Sequence, residues 1–159
     1  HNVYNDSEIF VMDGRTFVHY TSEKFDMINL FFADLYIPFI NSNIFMENYL
    51  YTVEAMRDYI RILNENGFLA VTKWVGALES PTELLRITAT MLEALELEKV
   101  ENPADHIAIV GFNATGWNVY GGMALLKKSP FTESEIEVVR QFAVPPFFEL
   151  HIPGSGGVI

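Results

Sequence analysis

Few side chains in this sequence are placed to do chemistry, and the strongest candidate is Asp13 in the run "MDGRT" at 12–16. A carboxylate at the end of an apolar run sits where an open α/β sheet presents its ligands, beyond the C-terminal ends of its strands. There it can accept hydrogen bonds from an amino group on a bound ring, while Gly14 lets the ring edge approach without a Cβ in the way. The competing role is local: an Asx turn that ends the strand. Arg15 is a further contact for the same ligand, or else a solvated residue on a first helical turn. Asp34 closes a second apolar run and offers a carboxylate for taking a proton or positioning a substrate; capping a helix accounts for it equally well. Tyr49, Tyr51 and Glu54 lie in "ENYLYTVEA" at 47–55 and are placed to line a substrate pocket near that strand end. A tyrosine has the apolar ring and polar tip such a wall needs, and half-buried packing is the alternative.

Other chemistries find no support. There are no cysteines, which excludes disulfides, thiol catalysis and thiolate metal sites. The four histidines, His1, His19, His106 and His151, show no two-ligand helical spacing, so no metal is expected. Ser7, Ser42 and Ser80 occupy no G-x-S-x-G nucleophile elbow. The net charge is −11, from 21 acidic and 10 basic residues, without a basic stripe, so no nucleic-acid partner is expected. No apolar run approaches the roughly 20 residues of a membrane span. No targeting segment shows in a chain that begins at His1, and a cytoplasmic location is expected, with any membrane attachment of a longer parent protein not visible here.

These residues need a scaffold, and the pattern supplies one. Half of the residues are hydrophobic, 14% are aromatic, and mean hydropathy is +0.16, enough apolar surface for one folded domain. Apolar runs at 7–13 and 25–32 predict strands, the second continuous enough to be covered on both faces. Met56, Tyr59, Ile60 and Leu63 fall at helical spacing, predicting a helix over 52–66 that stops at Asn66-Gly67. A strand over 68–75 follows. "SPTE" at 80–83 predicts a capped helix whose inner face is Leu84, Thr88, Met91, Leu92 and Leu95. "HIAIVGFN" and "YGGMALLKKS", joined by "ATGW", predict an antiparallel hairpin. "TESE" at 132–135 opens the last helix, with Phe131 and Ile136 as a hydrophobic staple. We expect one domain over 1–150 and a flexible tail over 151–159. The class is α/β: a mostly parallel sheet with an antiparallel element at one edge, covered by helices.

Taken together, "MDGRTF" at 12–17, "EKFDMINLFFAD" from 23 to 34, "ENYLYTVEAMRDYIRILNENGFLAV" at 47–71 and "LLKKSPFTESEI" at 125–136 resemble the class I S-adenosylmethionine-dependent methyltransferase fold. Within it they look most like the C-terminal part of the spermidine-synthase-like branch. The resemblance implies a Rossmann-like sheet that lacks its first two strands here, together with their glycine-rich turn and ribose-binding acid. It implies that Asp13, Gly14 and Arg15 meet the adenine of S-adenosylmethionine or decarboxylated S-adenosylmethionine, with Asp34 as the catalytic carboxylate and Tyr49 and Tyr51 against a small-molecule substrate. In that branch a pair of acids follows the strand; counting from Phe25-Asp26, Phe31 stands at the first acid position and Asp34 at the second.

The expected activity is therefore nucleophilic displacement at a sulfonium carbon, by methyl transfer or a related transfer, in a longer protein of which this is a piece. A phenyl ring cannot accept a proton, so aminopropyl transfer to a polyamine is doubtful. The alternative is a non-catalytic binding or assembly module that kept the fold and lost the chemistry. Without its first two strands the sheet exposes an apolar strand edge. We expect that edge to be closed by rearrangement, by pairing with a second copy in a homodimer, or by the upstream half of the same protein.

Overall fold

A computed structural model of the chain describes residues 7–33, 49–75, 81–114 and 119–154. Helix α1 spans Gly14–Tyr20 and leads into strand β1, Phe25–Phe31. Helix α2 (Val53–Ile62) runs directly into β2 (Leu63–Val75), and α3 (Thr82–Leu97) follows. A 3₁₀ turn at Pro103–His106 then feeds β3 (Ile107–Ala114), β4 (Val119–Lys127), α4 (Glu133–Phe142) and β5 (Phe147–His151). Among the described residues these strands form one five-stranded sheet in the order β1-β2-β4-β3-β5.

The α/β class and the antiparallel hairpin are as expected, but the parallel share is smaller. Only β1 and β2 run parallel among the described pairings; β2–β4, β3–β4 and β3–β5 are antiparallel. Parallel neighbours need a crossover connection, and among the described residues a single one, through α2, joins two adjacent strands.

Residues 7–13 do not form the expected strand. They carry no regular structure, and Val11 is 99% exposed. An apolar run becomes a strand only when a neighbour takes its backbone hydrogen bonds, and among the described residues no strand pairs with this one. Strand β1 accordingly stays at the sheet's outer edge. Rearrangement of the 7–13 segment onto that edge does not occur.

Side chains at alternate positions put the core on one face. Leu69 and Val71 of β2, Ile109 of β3, and Ala124 and Leu126 of β4 pack there against Met56 and Tyr59 of α2 and Leu84 and Met91 of α3. Leu84 needs the room left by Gly122, where a Cβ would sit 2.5 Å from its Cδ2. On the opposite face α4 starts with the expected capping box of Thr132 and Glu135. Lys127 ties that start down through an ion pair to Glu135 at 2.9 Å. Beyond this anchor α4 has no buried residue, and Phe142 is 73% exposed.

Two helix boundaries differ from expectation. Helix α2 ends at Ile62, because Leu63 already pairs with Phe25 in the sheet. Gly67 is not a left-handed helix stop; it sits where a Cβ would come within 2.8 Å of the Phe25 carbonyl oxygen. Helix α3 has Pro81 at its cap position without a side-chain cap bond, and Ser80 lies outside the described residues. At the other end of the chain, His151, Ile152 and Pro153 are buried rather than loose.

Candidate functional site

Asp13 is the N-cap of α1, and the cap is what fixes its geometry. Its Oδ1 accepts from the Thr16 amide at 2.8 Å and from the Thr16 hydroxyl at 2.9 Å. This satisfies an orphan donor of the helix start. The other oxygen, Oδ2, accepts from the Tyr49 hydroxyl at 3.0 Å. These bonds, the Thr16 amide first, then the Thr16 hydroxyl and Tyr49, hold the carboxyl below its ordinary pKa. Asp13 is thus ionised at neutral pH and can only accept.

Both roles considered for Asp13 are therefore present at once, divided between its oxygens. The carboxylate lines a cavity of about 520 Å³ between α1, β1, the 49–50 segment and the C-terminal half of α2, within the usual size of a small-molecule site. Its walls are mainly apolar, including Phe17, Phe25, Ile28 and Leu30, with Tyr49 and Tyr59 as further polar tips. Gly14 also lines it, and a Cβ there would meet nothing within 4 Å. Among the described residues no atom demands glycine at that position. Tyr59 donates to the Leu50 carbonyl at 3.2 Å, and burial pushes its pKa up to about 12, so it stays protonated.

The other expected residues lie elsewhere. Arg15 turns away from the cavity and pairs with Asp58 at 2.6 Å. His19 reaches the same Asp58 oxygen at 3.0 Å, and Arg61 donates to the carbonyls of Val18, His19 and Thr21. Burial works against the Asp58 carboxylate, but hydrogen bonds from His19 and Arg15 and their charges outweigh it and lower its pKa. This knot clamps the C-terminal end of α1 onto α2. Glu54 lies in that second, charged cleft rather than beside Asp13. Tyr51 packs against the core with the Lys73 ammonium 3.8 Å from its ring centroid, a cation–π arrangement. Asp34 lies outside the described residues. Nothing in the sequence joined Tyr49 to Asp13, 36 positions apart. Thr16, three residues after Asp13, was the available sign that Asp13 caps a helix.

Phe31, at the first acid position, is 66% exposed at the end of β1. Beside it Phe32 stacks on Trp74 with centroids 4.2 Å apart, and Phe112 and Phe147 extend the aromatic row across the sheet. No carboxylate lines the apolar cavity of about 290 Å³ that Phe31 and Phe32 border. Among the described residues no group of three His, Cys, Asp or Glu could hold a metal ion, and no helix is long and apolar enough to cross a membrane.

Comparison with known proteins agrees with the architecture. The chain is 31% identical over 117 residues to a polyamine aminopropyltransferase of Saccharolobus solfataricus, an alignment covering 74% of this chain and 35% of that protein. A crystal structure of a probable spermidine synthase from Corynebacterium glutamicum superposes with a TM-score of 0.51 at 16% identity, over 96% of this chain and 56% of that one. The fold is spermidine-synthase-like, and this chain carries part of it. No family model matches the chain. The chain spans about a third of the length of the curated relative.

Proposed function

We propose that this chain forms one wall of the nucleoside site of a transferase that uses S-adenosylmethionine or its decarboxylated form. The single observation that carries this is the Asp13 carboxylate. One oxygen is committed to the helix cap, and the other stands at a mainly apolar cavity beside a glycine whose open side meets no atom of the described residues. Asp13 Oδ2 would accept the amino hydrogen of adenine, and the Gly14 backbone would lie along the ring edge. These residues fit one edge of such a cofactor; no described residue offers a glycine-rich cradle for its amino-acid end.

The cofactor, when bound, supplies a carbon already activated by the positive sulfur. The protein's task is then largely alignment of the nucleophile. Phe31 at the first acid position favours transfer to a nucleophile that arrives neutral over transfer to a protonated amine, because a phenyl ring takes no proton. The same aromatic row favours the second reading, a module that keeps the fold and binds without catalysis.

Asp13→Asn tests the nucleoside site without removing the helix cap, because asparagine caps helices as well as aspartate. Its oxygen would face Thr16 and its amide group would meet the cavity as a donor. Calorimetric titration with S-adenosylmethionine and methylthioadenosine should show saturable binding to the wild-type chain and at least about a tenfold loss in Asp13→Asn, the cost of a lost charge-assisted hydrogen bond. The 6-oxo analogue methylthioinosine should bind the wild type poorly. Equal binding of amino and oxo forms would defeat the assignment. Methyl transfer by the longer protein, against its absence despite nucleoside binding, separates enzyme from module.

A further inference from the structure

Helix α1 divides its residues between two spaces. Asp13, Gly14, Phe17 and Val18 line the apolar cavity, whereas Arg15 and His19 line the charged cleft beside α2. Arg15 and His19 are four positions apart, so they share one side of the helix. Both meet a single atom of α2, Asp58 Oδ2, at 2.6 and 3.0 Å. Three residues further along α2, Arg61 donates to the carbonyls of Val18, His19 and Thr21 and closes the C-terminal end of α1. Resting on the nucleoside reading above, we propose that Asp58 is a positioning residue for that site. By gripping Arg15 and His19 it sets how α1 lies, and so where the Asp13 carboxylate and Gly14 stand in the cavity wall.

Little in the helix itself would fix that orientation. Seven residues span about 10 Å, and a helix so short is not stable alone in water. The residues that lead into it, 7–13, carry no regular structure. Val18 is its buried side chain, and Phe17 packs partly against the core. Apolar contact of this kind is non-directional, so it holds the helix down without stopping it from rolling about its axis. The Asp58 grip on two successive turns stops the roll. Arg15 directly follows Gly14, so the grip acts within two residues of Asp13.

Asparagine at 58 keeps the shape of the side chain but turns one acceptor oxygen into a donor. It cannot accept from Arg15 and His19 on one atom and from Arg61 on the other, as Asp58 does. The Tyr49 bond to Asp13 remains in that variant, so the loss at the site is graded rather than complete.

The test titrates methylthioadenosine into wild type, Asp58→Asn, Asp13→Asn and the double variant, each well below its thermal midpoint. Asp58→Asn should weaken binding about three- to tenfold, a coupling usual within one ion-pair network. In the Asp13→Asn background the same change should cost less than about twofold, because no carboxylate is left to position. Equal losses in both backgrounds, or no loss in either, would overturn the positioning role and leave the nucleoside site standing. No binding by wild type, or none lost in Asp13→Asn, would overturn both. Arg15→Met removes the grip on the first turn while leaving α2 intact, and it should weaken binding in the same way; full affinity there would overturn the proposal even if Asp58→Asn failed to fold. A further readout needs no ligand. The Phe17 and Thr21 amides are bonded to the carbonyls of Asp13 and Phe17. Their hydrogen exchange should quicken about three- to tenfold in Arg15→Met, as local opening becomes easier, with the Met56 amide of α2 unchanged. Unchanged exchange at Phe17 and Thr21 would show that the grip does not hold α1, overturning the proposal.

Discussion

Asp13 divides its oxygens between fold and cavity, and His151 shows the opposite case, a buried titratable group. It lies on β5 opposite Ile109, is buried, and neither ring nitrogen has a hydrogen-bond partner of normal geometry among the described residues. Burial lowers its pKa from 6.5, against the pull of Glu149 and the backbone at Ala104. Below pH 6.5 the unfolded chain therefore takes up a proton that the folded chain resists. The unfolded state binds more protons there, so stability rises with pH and falls on acidification, starting near 6.5 and continuing down to the depressed folded value. Thermal unfolding between pH 7.5 and 5.5 should show the midpoint falling for wild type and falling less for His151→Leu. Parallel curves for the two would mean that the imidazole is solvated. The Asp58 carboxylate, lowered by His19 and Arg15 despite its burial, contributes in a separate window. Its stabilisation is lost as pH drops below its ordinary value near 3.8 and through the folded one.

Gly67 decides how α2 joins β2. The register moves from Phe25↔Leu63 to Met27↔Phe68, so two residues on β1 span five on β2, and the extra backbone folds back against the Phe25 carbonyl. A methyl at Gly67 would lie 2.8 Å from that oxygen and 3.1 Å from the Asn64 backbone, neither of which can rotate away as a side chain could. Gly67→Ala should cost about 1–3 kcal/mol, as overpacking against rigid atoms does. Urea unfolding would measure it, and a change under about 0.5 kcal/mol, the usual scatter of neutral surface substitutions, would mean the bulge relaxes freely. This junction also marks where sequence patterns stop being informative. Asn66-Gly67 has the composition of a helix end, yet the helix stops four residues earlier because Leu63 is claimed by a strand 38 positions away. Local signals succeeded where the deciding contacts are local: the Thr132–Glu135 capping box, the apolar stripe of α3, the hairpin of β3 and β4. They failed at residues 7–13, where the composition suits a strand but no described strand pairs with the segment. The same division holds in the site. Asp13-Gly14 was visible as a motif, whereas Arg15's turn toward Asp58 and Tyr49's reach to Asp13 depend on α1 packing against α2.

At the scale of the whole molecule, β1 is a strand built for the middle of a sheet and left at its edge. "FDMINLF" has the apolar run of a strand covered on both faces, yet no β1 residue is buried, while its neighbour β2 is buried along most of its length. An edge of this kind presents unpaired backbone donors and acceptors together with apolar side chains, and natural edges usually blunt that hazard with lysine, proline or a bulge. Strand β1 carries a register shift between Phe25 and Met27 and an exposed Asp26, but it has no lysine or proline, and Met27 is half exposed. We expect copies of this chain to pair through β1, or the edge to be taken by the rest of the longer protein. The net charge of −11 opposes self-association at low ionic strength. Salt screens that repulsion within about 10 Å at 0.1 M and leaves backbone pairing intact. Dimerisation measured by sedimentation velocity should therefore strengthen as salt rises from about 0.01 to 0.5 M, where the Debye length shrinks severalfold, the reverse of an interface built on ion pairs. Met27→Lys should leave the circular dichroism unchanged and shift the chain to monomer, because two copies would then bring like charges together across the new pairing. A wild-type chain that stays monomeric at every salt concentration would show that the charge, or a segment outside the described residues, protects the edge. Dimers that persist in Met27→Lys would place the contact elsewhere, with the aromatic row at Phe31 and the exposed face of α4 as the next surfaces to alter.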